Sequence, residues 1–186
     1  DNYLSNLVDG AAEKKDAMPS QYDEELNTAE RAAREAGRII KKLFKGKFDV
    51  HEKSKNNPVT TADLEANRKI REILQGRFPE DGWLSEEDGD DSRRLASSRV
   101  WIIDPIDGTR EFIEGVPQFA VSIGFVVEGR PKVAVIYNPI EDRLYRATGG
   151  QGAELNGERI RVTPRREIHG ALLLVSRSEP LRKFQI

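Results

Sequence analysis

The sequence predicts a layered α+β fold, an αβ sandwich with N-terminal helices packed on a largely antiparallel sheet. Apolar residues recur at helical spacing through 23–45 and again through 61–78. From Val100 onward the period shortens to two, in β-rich runs split by the turn-like "EGRP", "PIED" and "NG". Helices first and a strand meander after is the order of such a fold. At 186 residues there is room for one ordinary domain, or for part of a larger one.

Residues 1–22 are weakly patterned and are expected to form a mobile arm. The first helix is predicted from Leu26, Ala29, Ala33, Ala36, Ile40, Leu43 and Phe44. Acids at Asp23, Glu24 and Glu25 open it and bases at Lys41, Lys42 and Lys45 close it before Gly46, as the helix dipole favours. "HEKSKNNPVTTAD" reads as a polar loop that turns extended at Pro58 and Val59. Thr60 and Asp63 then form a capping-box-like start to a second helix, with Leu64, Ile70, Ile73, Leu74 and Phe78 expected on one face. A short strand at Trp83 and Leu84 leads into an acidic loop. "WIIDPIDGT", "FAVSIGFVV", "KVAVIYN" and "RLYRA" supply the meander, and "ALLLVSRSE" begins one more strand. The organisation expected is an arm at 1–22, a main lobe at 23–170 and the start of a further lobe at 171–186.

Composition removes several functional classes. Charged residues make up 33% of the chain, yet the formal net charge is only −2, which argues against wrapping DNA or RNA. The absence of cysteine rules out thiolate nucleophiles, disulfides and Cys-bound zinc. The first twenty residues lack a signal-peptide core, and no apolar run approaches the roughly 18 residues that span a bilayer. A soluble, cytoplasmic protein is expected, with a small phosphorylated partner in place of a nucleic-acid polymer or a membrane.

The chemistry concentrates where the apolar run "WII" meets Asp104 and Asp107. Two carboxylates this close repel unless a cation joins them or one keeps its proton. Hard cations such as Mg²⁺ take carboxylate, carbonyl and water oxygens, and the Ile106 carbonyl lies between the two aspartates. Gly108 allows close backbone approach, and a helix beginning at Thr109 would present free N–H groups to a phosphate. Asp-Pro and Asp-Gly pairs also form plain turns, and an aspartate before a helix also serves as a cap. "WLSEED" repeats the layout, an apolar run ending in Glu86 and Glu87, while Asp88, Asp90 and Asp91 read as solvated.

Taken together, "NPVTTAD", "LSEE" and "WIIDPIDGTREF" resemble the signatures of the inositol monophosphatase family, which also holds the 3'(2'),5'-bisphosphate nucleotidases. The resemblance runs from about residue 25 to 178 and includes "FAVSIGFV" and "GGQGAELNG". It implies a sugar phosphatase-like fold, Li⁺-sensitive hydrolysis of a phosphate monoester, and two or three Mg²⁺ ions. By position it implies Glu86, Asp104, the carbonyl of Ile106 and Asp107 as metal ligands. Asp63 and Thr109 resemble the pair that orients and deprotonates water, and Gly108, Thr109 and Arg110 would face the phosphate. The family's later Trp-Asp motif, with its further metal-binding aspartate, is absent from this sequence, so a C-terminal part is expected to be missing.

Within that resemblance, "DGTREF" and "VSRSE" look closer to the bisphosphate nucleotidase branch. Arg110 and Arg177 could hold a second phosphate with fork-shaped donors, so removal of the 3'-phosphate of adenosine 3',5'-bisphosphate is expected. The alternatives are an inositol-1-monophosphatase or other sugar-phosphate phosphatase, and a metal-binding interaction module without turnover. A homodimer is compatible with the family. A haloacid-dehalogenase phosphatase needs aspartates two apart; these are three apart. "GGQGAE" lacks the third glycine and the βαβ setting of a dinucleotide site. His51 and His169 are isolated, without metal-ligand spacing, and read as surface or hydrogen-bond-satisfied residues.

Overall fold

The computed structural model describes residues 20–54, 57–89, 91–168 and 170–171. The expected arm, apart from its last three residues, and the expected start of a further lobe, apart from Ala171, lie outside them, as do Asp90, His169 and Arg177.

Helix α1 (Asp23–Leu43) buries a stripe of small residues, Ala29, Ala32, Ala33, Ala36 and Gly37, followed by Ile40. Small side chains let the helix lie close to the sheet. A Cβ on Gly37 would come within 2.5 Å of the Tyr137 ring. A hairpin of β1 (Val50–Ser54) and β2 (Asn57–Thr60) follows; the extended end expected at Pro58 and Val59 is its second strand, and part of the expected polar loop is its first. Its side chains lack an apolar alternation, which hides the pairing. Helix α2 (Thr61–Arg77) packs beside α1 and buries Ala62, Asp63, Ala66, Asn67, Ile70 and Leu74. Leu64, expected on that face, is 47% exposed. The buried stripe is held partly by polar residues, Asp63 and Asn67, and Leu64 falls beside it.

The remaining strands form one seven-stranded sheet in the order β3 (Gly82–Ser85), β4 (Arg99–Asp107), β5 (Ala120–Val127), β6 (Arg130–Asn138), β7 (Arg143–Thr148), β8 (Gly152–Leu155), β9 (Glu158–Ile160). Every pairing is antiparallel except β3 with β4, which is parallel. A 3-10 helix (Ser92–Ala96) makes that crossover, capped by the Asp91 carboxylate accepting from Arg93 N. The core lies between the helices and one sheet face, built from Trp101, Ile103, Val121, Ile123, Phe125, Val133 and Val135. The opposite face carries Ile102 and Ile136, 43% and 46% exposed.

One charged cluster pins α1 to the sheet. Arg99 Nε donates to Asp81 Oδ1 at 2.6 Å, and its Nη2 reaches Asp81 Oδ2 at 3.1 Å and Glu25 Oε1 at 3.0 Å. Trp101 Nε1 also donates to Asp81, at 3.0 Å. Asp81 and Glu25 are nearly buried, so removing one acceptor strands donors that water reaches poorly. Asp81→Ala is expected to cost about 2–4 kcal/mol in chemical denaturation, a figure reduced because Arg99 is about one-third exposed.

Candidate active site

Because β3 and β4 run parallel, their carboxyl ends lie side by side. Glu86 follows the last residue of β3, and Glu86 N donates to Ile103 O at 3.1 Å, fixing the start of its turn to β4. Asp104 and Asp107 sit at the matching end of β4. Asp-Pro and Asp-Gly also fit a plain turn, but β4 continues through Asp107. Its register on β5 slips by one residue, Asp104 opposite Ser122 and Asp107 opposite Ala120. In a regular strand residues three apart face opposite sides. The extra residue of this bulge restores both aspartates to the open side, while Pro105 and Ile106 are buried. Pro105 has no N–H to give the ladder, which makes it a natural place for the slip.

The carboxylates act on one another. Asp104 is pushed up to about 7, first by burial, then by the charges of Glu86 and Asp107 and by a side-chain hydrogen bond with Glu86 that requires the proton. The Ile106 N–H, donating to Asp104 Oδ1 at 3.1 Å, works the other way. No three His, Cys, Asp or Glu side chains among the described residues are drawn tightly enough together to hold a metal ion as they stand. The donor set is nevertheless all oxygen and crowded with negative charge, the character that suits a hard cation.

Asp63 reaches the same place from α2. Its Oδ1 accepts from the Thr109 hydroxyl at 3.2 Å, and that hydroxyl also lies 3.1 Å from Ile106 O. Thr109 has one proton for these two acceptors, so the bond is shared. Asp63 is fully buried, and burial raises its pKa; hydrogen bonds from Thr60 and Thr109 oppose the shift without cancelling it. Segments distant in sequence thus meet: Asp63, Thr109, Ile106 and Asp104 form one chain of contacts, and Glu86 and Asp107 join it through charge.

Gly108 caps α3 (Thr109–Ile113) with φ of +100°, and a Cβ there would come within 3.0 Å of Gln118 O and Phe119 Cβ. Gly108→Ala should therefore lose about 1–3 kcal/mol of stability and displace the Thr109 hydroxyl. A thermal midpoint equal to that of the parent would show the turn to be more yielding than its geometry. Arg110 is exposed on the first turn of α3. From Asp107 and Gly108 an open pocket of about 420 Å³ continues past Glu111, Gln118, Glu141, Arg143 and Tyr145.

Several polar residues carry structural work that the sequence hid. Asn67, one helical turn after Asp63, accepts from the Ser85 hydroxyl at 2.7 Å, and Ser85 Oγ accepts from Glu87 N at 3.3 Å. The same face of α2 therefore ties down both acidic strand ends. Asp88, expected to be solvated, accepts from Trp83 Nε1 at 2.6 Å and lies 3.5 Å from Arg71. Trp83 and Trp101, which precede the acidic stretches, are buried.

Acidic side chains at two parallel strand ends thus lie beside a hydroxyl–carboxylate pair at the start of a short helix. The chain belongs to the inositol monophosphatase family, whose model matches residues 21–185. It is 41% identical over 150 residues to the protein named Nus factor SuhB of Haemophilus influenzae, covering 80% of this chain and 56% of the relative. Among solved structures it resembles the extragenic suppressor protein suhB of Bartonella henselae, with a TM-score of 0.73 and 36% identity over 77% of this chain and 56% of that one. It also resembles an IMPase of Thermotoga maritima, with a TM-score of 0.70 and 34% identity over 76% and 54% of the two chains. The chain thus spans about half the length of the relatives it matches. Among the described residues no helix is long and apolar enough to cross a membrane.

Proposed function

We propose that this chain supplies the metal-binding half of a Mg²⁺-dependent phosphomonoesterase. The observation that carries the reading is the convergence of Asp63, Thr109, Ile106 and Asp104, with Glu86 and Asp107 close enough to raise Asp104 to about 7. Glu86, Asp104, the Ile106 carbonyl and Asp107 would hold the cations. Bound there, the ions would neutralise phosphate oxygens and lower the pKa of a water. The Thr109 hydroxyl donates to Asp63, which leaves the threonine oxygen to accept from the attacking water. As the water's proton passes to Thr109, the threonine's own proton passes to Asp63, so that the hydroxyl orients the nucleophile and the carboxylate ends neutral while the hydroxyl is restored. Gly108 keeps the backbone at the turn accessible to the phosphate. No covalent enzyme intermediate is required. Thr109→Ala is expected to keep metal affinity within about twofold while lowering kcat by about 10²-fold or more, the scale of a lost acid–base group; equal losses of both would move Thr109 from water to metal.

The finer reading is removal of the 3'-phosphate of adenosine 3',5'-bisphosphate, with Li⁺ inhibition and a cytoplasmic setting. It rests on Arg110 beside the turn. A specific observation favours a second reading, an inositol or other sugar phosphate. The pocket next to Asp107 carries the carboxylates of Asp107, Glu111 and Glu141 against the single guanidinium of Arg143. That balance opposes a second phosphate and suits a neutral polyol. The name of the Haemophilus relative, Nus factor, supports a further reading as an interaction module without turnover. Measuring kcat/KM of the full-length protein with adenosine 3',5'-bisphosphate and myo-inositol 1-phosphate, with Mg²⁺ and with or without Li⁺, separates the three. A preference for the bisphosphate supports the finer reading, a preference for the inositol ester the second, and metal binding without hydrolysis the module.

A further inference from the structure

Asp63 does two jobs with its two oxygens. Oδ1 faces Thr109, and Oδ2 accepts from Thr60 N at 2.8 Å and from the Thr60 hydroxyl at 2.5 Å. Thr60 is fully buried, and its hydroxyl is fully used: it donates to Asp63 and accepts from Ala62 N at 3.2 Å and Asp63 N at 3.4 Å. This is a capping box, normally read as a device that starts a helix. Here its third-position carboxylate is the group that meets the reacting threonine.

We propose that Thr60 is a positioning residue for the reaction, holding Oδ2 of Asp63 so that Oδ1 stays aimed at the Thr109 hydroxyl. The inference rests on the reading of Asp63 and Thr109 as the proton-accepting pair. A carboxylate turns easily about its last torsion, which has broad wells and two equivalent ends. The Thr109 bond alone, at 3.2 Å and shared with Ile106 O, is a weak restraint on that rotation. Two short bonds on the other oxygen remove it. Part of the orientation needed in the transition state is thereby fixed before substrate arrives, as positioning of reacting groups requires.

The test uses the full-length protein with Mg²⁺ and myo-inositol 1-phosphate, or whichever of the two esters it hydrolyses faster. Thr60→Val keeps the shape and removes the hydroxyl; Thr60→Gly removes it while leaving a residue tolerated at a helix start. Thr60→Ser restores the hydroxyl. Leu64→Gly, on the exposed side of α2, weakens the helix without touching the site and serves as the stability control. The expected result is a fall in kcat of about 10- to 100-fold in Thr60→Val and Thr60→Gly, with KM within about twofold. Thr60→Ser and Leu64→Gly should stay within about threefold of the parent, the scale being that of a misplaced rather than a missing group. Should Thr60→Val fail to fold, Thr60→Gly carries the comparison. A kcat within about threefold of the parent in the hydroxyl-free variants, or an equal fall in Leu64→Gly at matched denaturation midpoint, would overturn the proposal. Asp63→Asn reports on the underlying pair separately: full activity there removes the pair itself, whereas an inactive Asp63→Asn beside an active Thr60→Gly removes only the role of Thr60.

Discussion

Asp107→Asn is expected to lower phosphomonoester hydrolysis by at least about 10²–10³-fold in the full-length protein, the cost of deleting one important electrostatic stabiliser. The same substitution is expected to leave folding stability unchanged or slightly higher in the absence of metal. Asp107 is exposed at the end of β4, and its charge is one of those that push Asp104 up to about 7. Replacing that charge with a neutral amide of the same shape relieves repulsion without opening a cavity. A structural aspartate would behave in the opposite way, losing stability first and activity through it. The pair of measurements is a rate assay at saturating Mg²⁺ and a denaturation curve in chelator; near-parental turnover in Asp107→Asn would remove this residue from the metal site.

The second large effect is on stability against pH. Asp104 has a folded-state pKa of about 7, above its ordinary value of 3.8, so the folded protein holds this proton where the unfolded chain has already released it. Its contribution to stability is therefore complete below about pH 4 and is lost as pH rises towards about 7. The change stays well under the roughly 4 kcal/mol that about three pKa units would give at full strength, because water screens a carboxylate that is only partly buried. Asp63, also raised by burial, adds a slope of the same sign. The expected result in chelator is a denaturation midpoint that falls between about pH 4 and 8, with a shallower fall in Asp104→Asn. Mg²⁺ at about 100 times its dissociation constant should return about 2.7 kcal/mol at the high-pH end. Identical slopes in the parent and Asp104→Asn would show that the carboxylates do not interact as their placement implies.

How far the sequence reveals this site depends on the kind of order involved. The helices are legible because Ala29, Ala33, Ala36 and Ile40 repeat at a helical period. The capping box at Thr60 and Asp63 is legible because its spacing is local. The spacing does not reveal that Asp63 also reaches Thr109, since that contact joins residues 46 positions apart. The bulge at Pro105 and Ile106 is hidden because Asp-Pro reads equally as a turn, and only the β5 register shows the strand continuing. The parallel pairing of β3 with β4, which puts Glu86 beside Asp104, is likewise a property of sheet order. Leu64 lies off the buried face because the polar Asp63 and Asn67 occupy it, which an apolar periodicity does not show. Polar residues can afford that buried stripe only because each finds a partner, Thr60 and Thr109 for one, Ser85 for the other.

Glu86, Asp104, the Ile106 carbonyl and Asp107 are proposed to hold together the cations that drive hydrolysis. Crystals of the full-length protein grown with Mn²⁺ in place of Mg²⁺, with anomalous scattering recorded from the metal, test it most directly. At least one anomalous peak bounded by these four groups is expected, at the roughly 2.0–2.6 Å contacts of oxygen-bound hard cations. A well-ordered site with these four groups free of metal, or a peak bound elsewhere in the molecule, would contradict it.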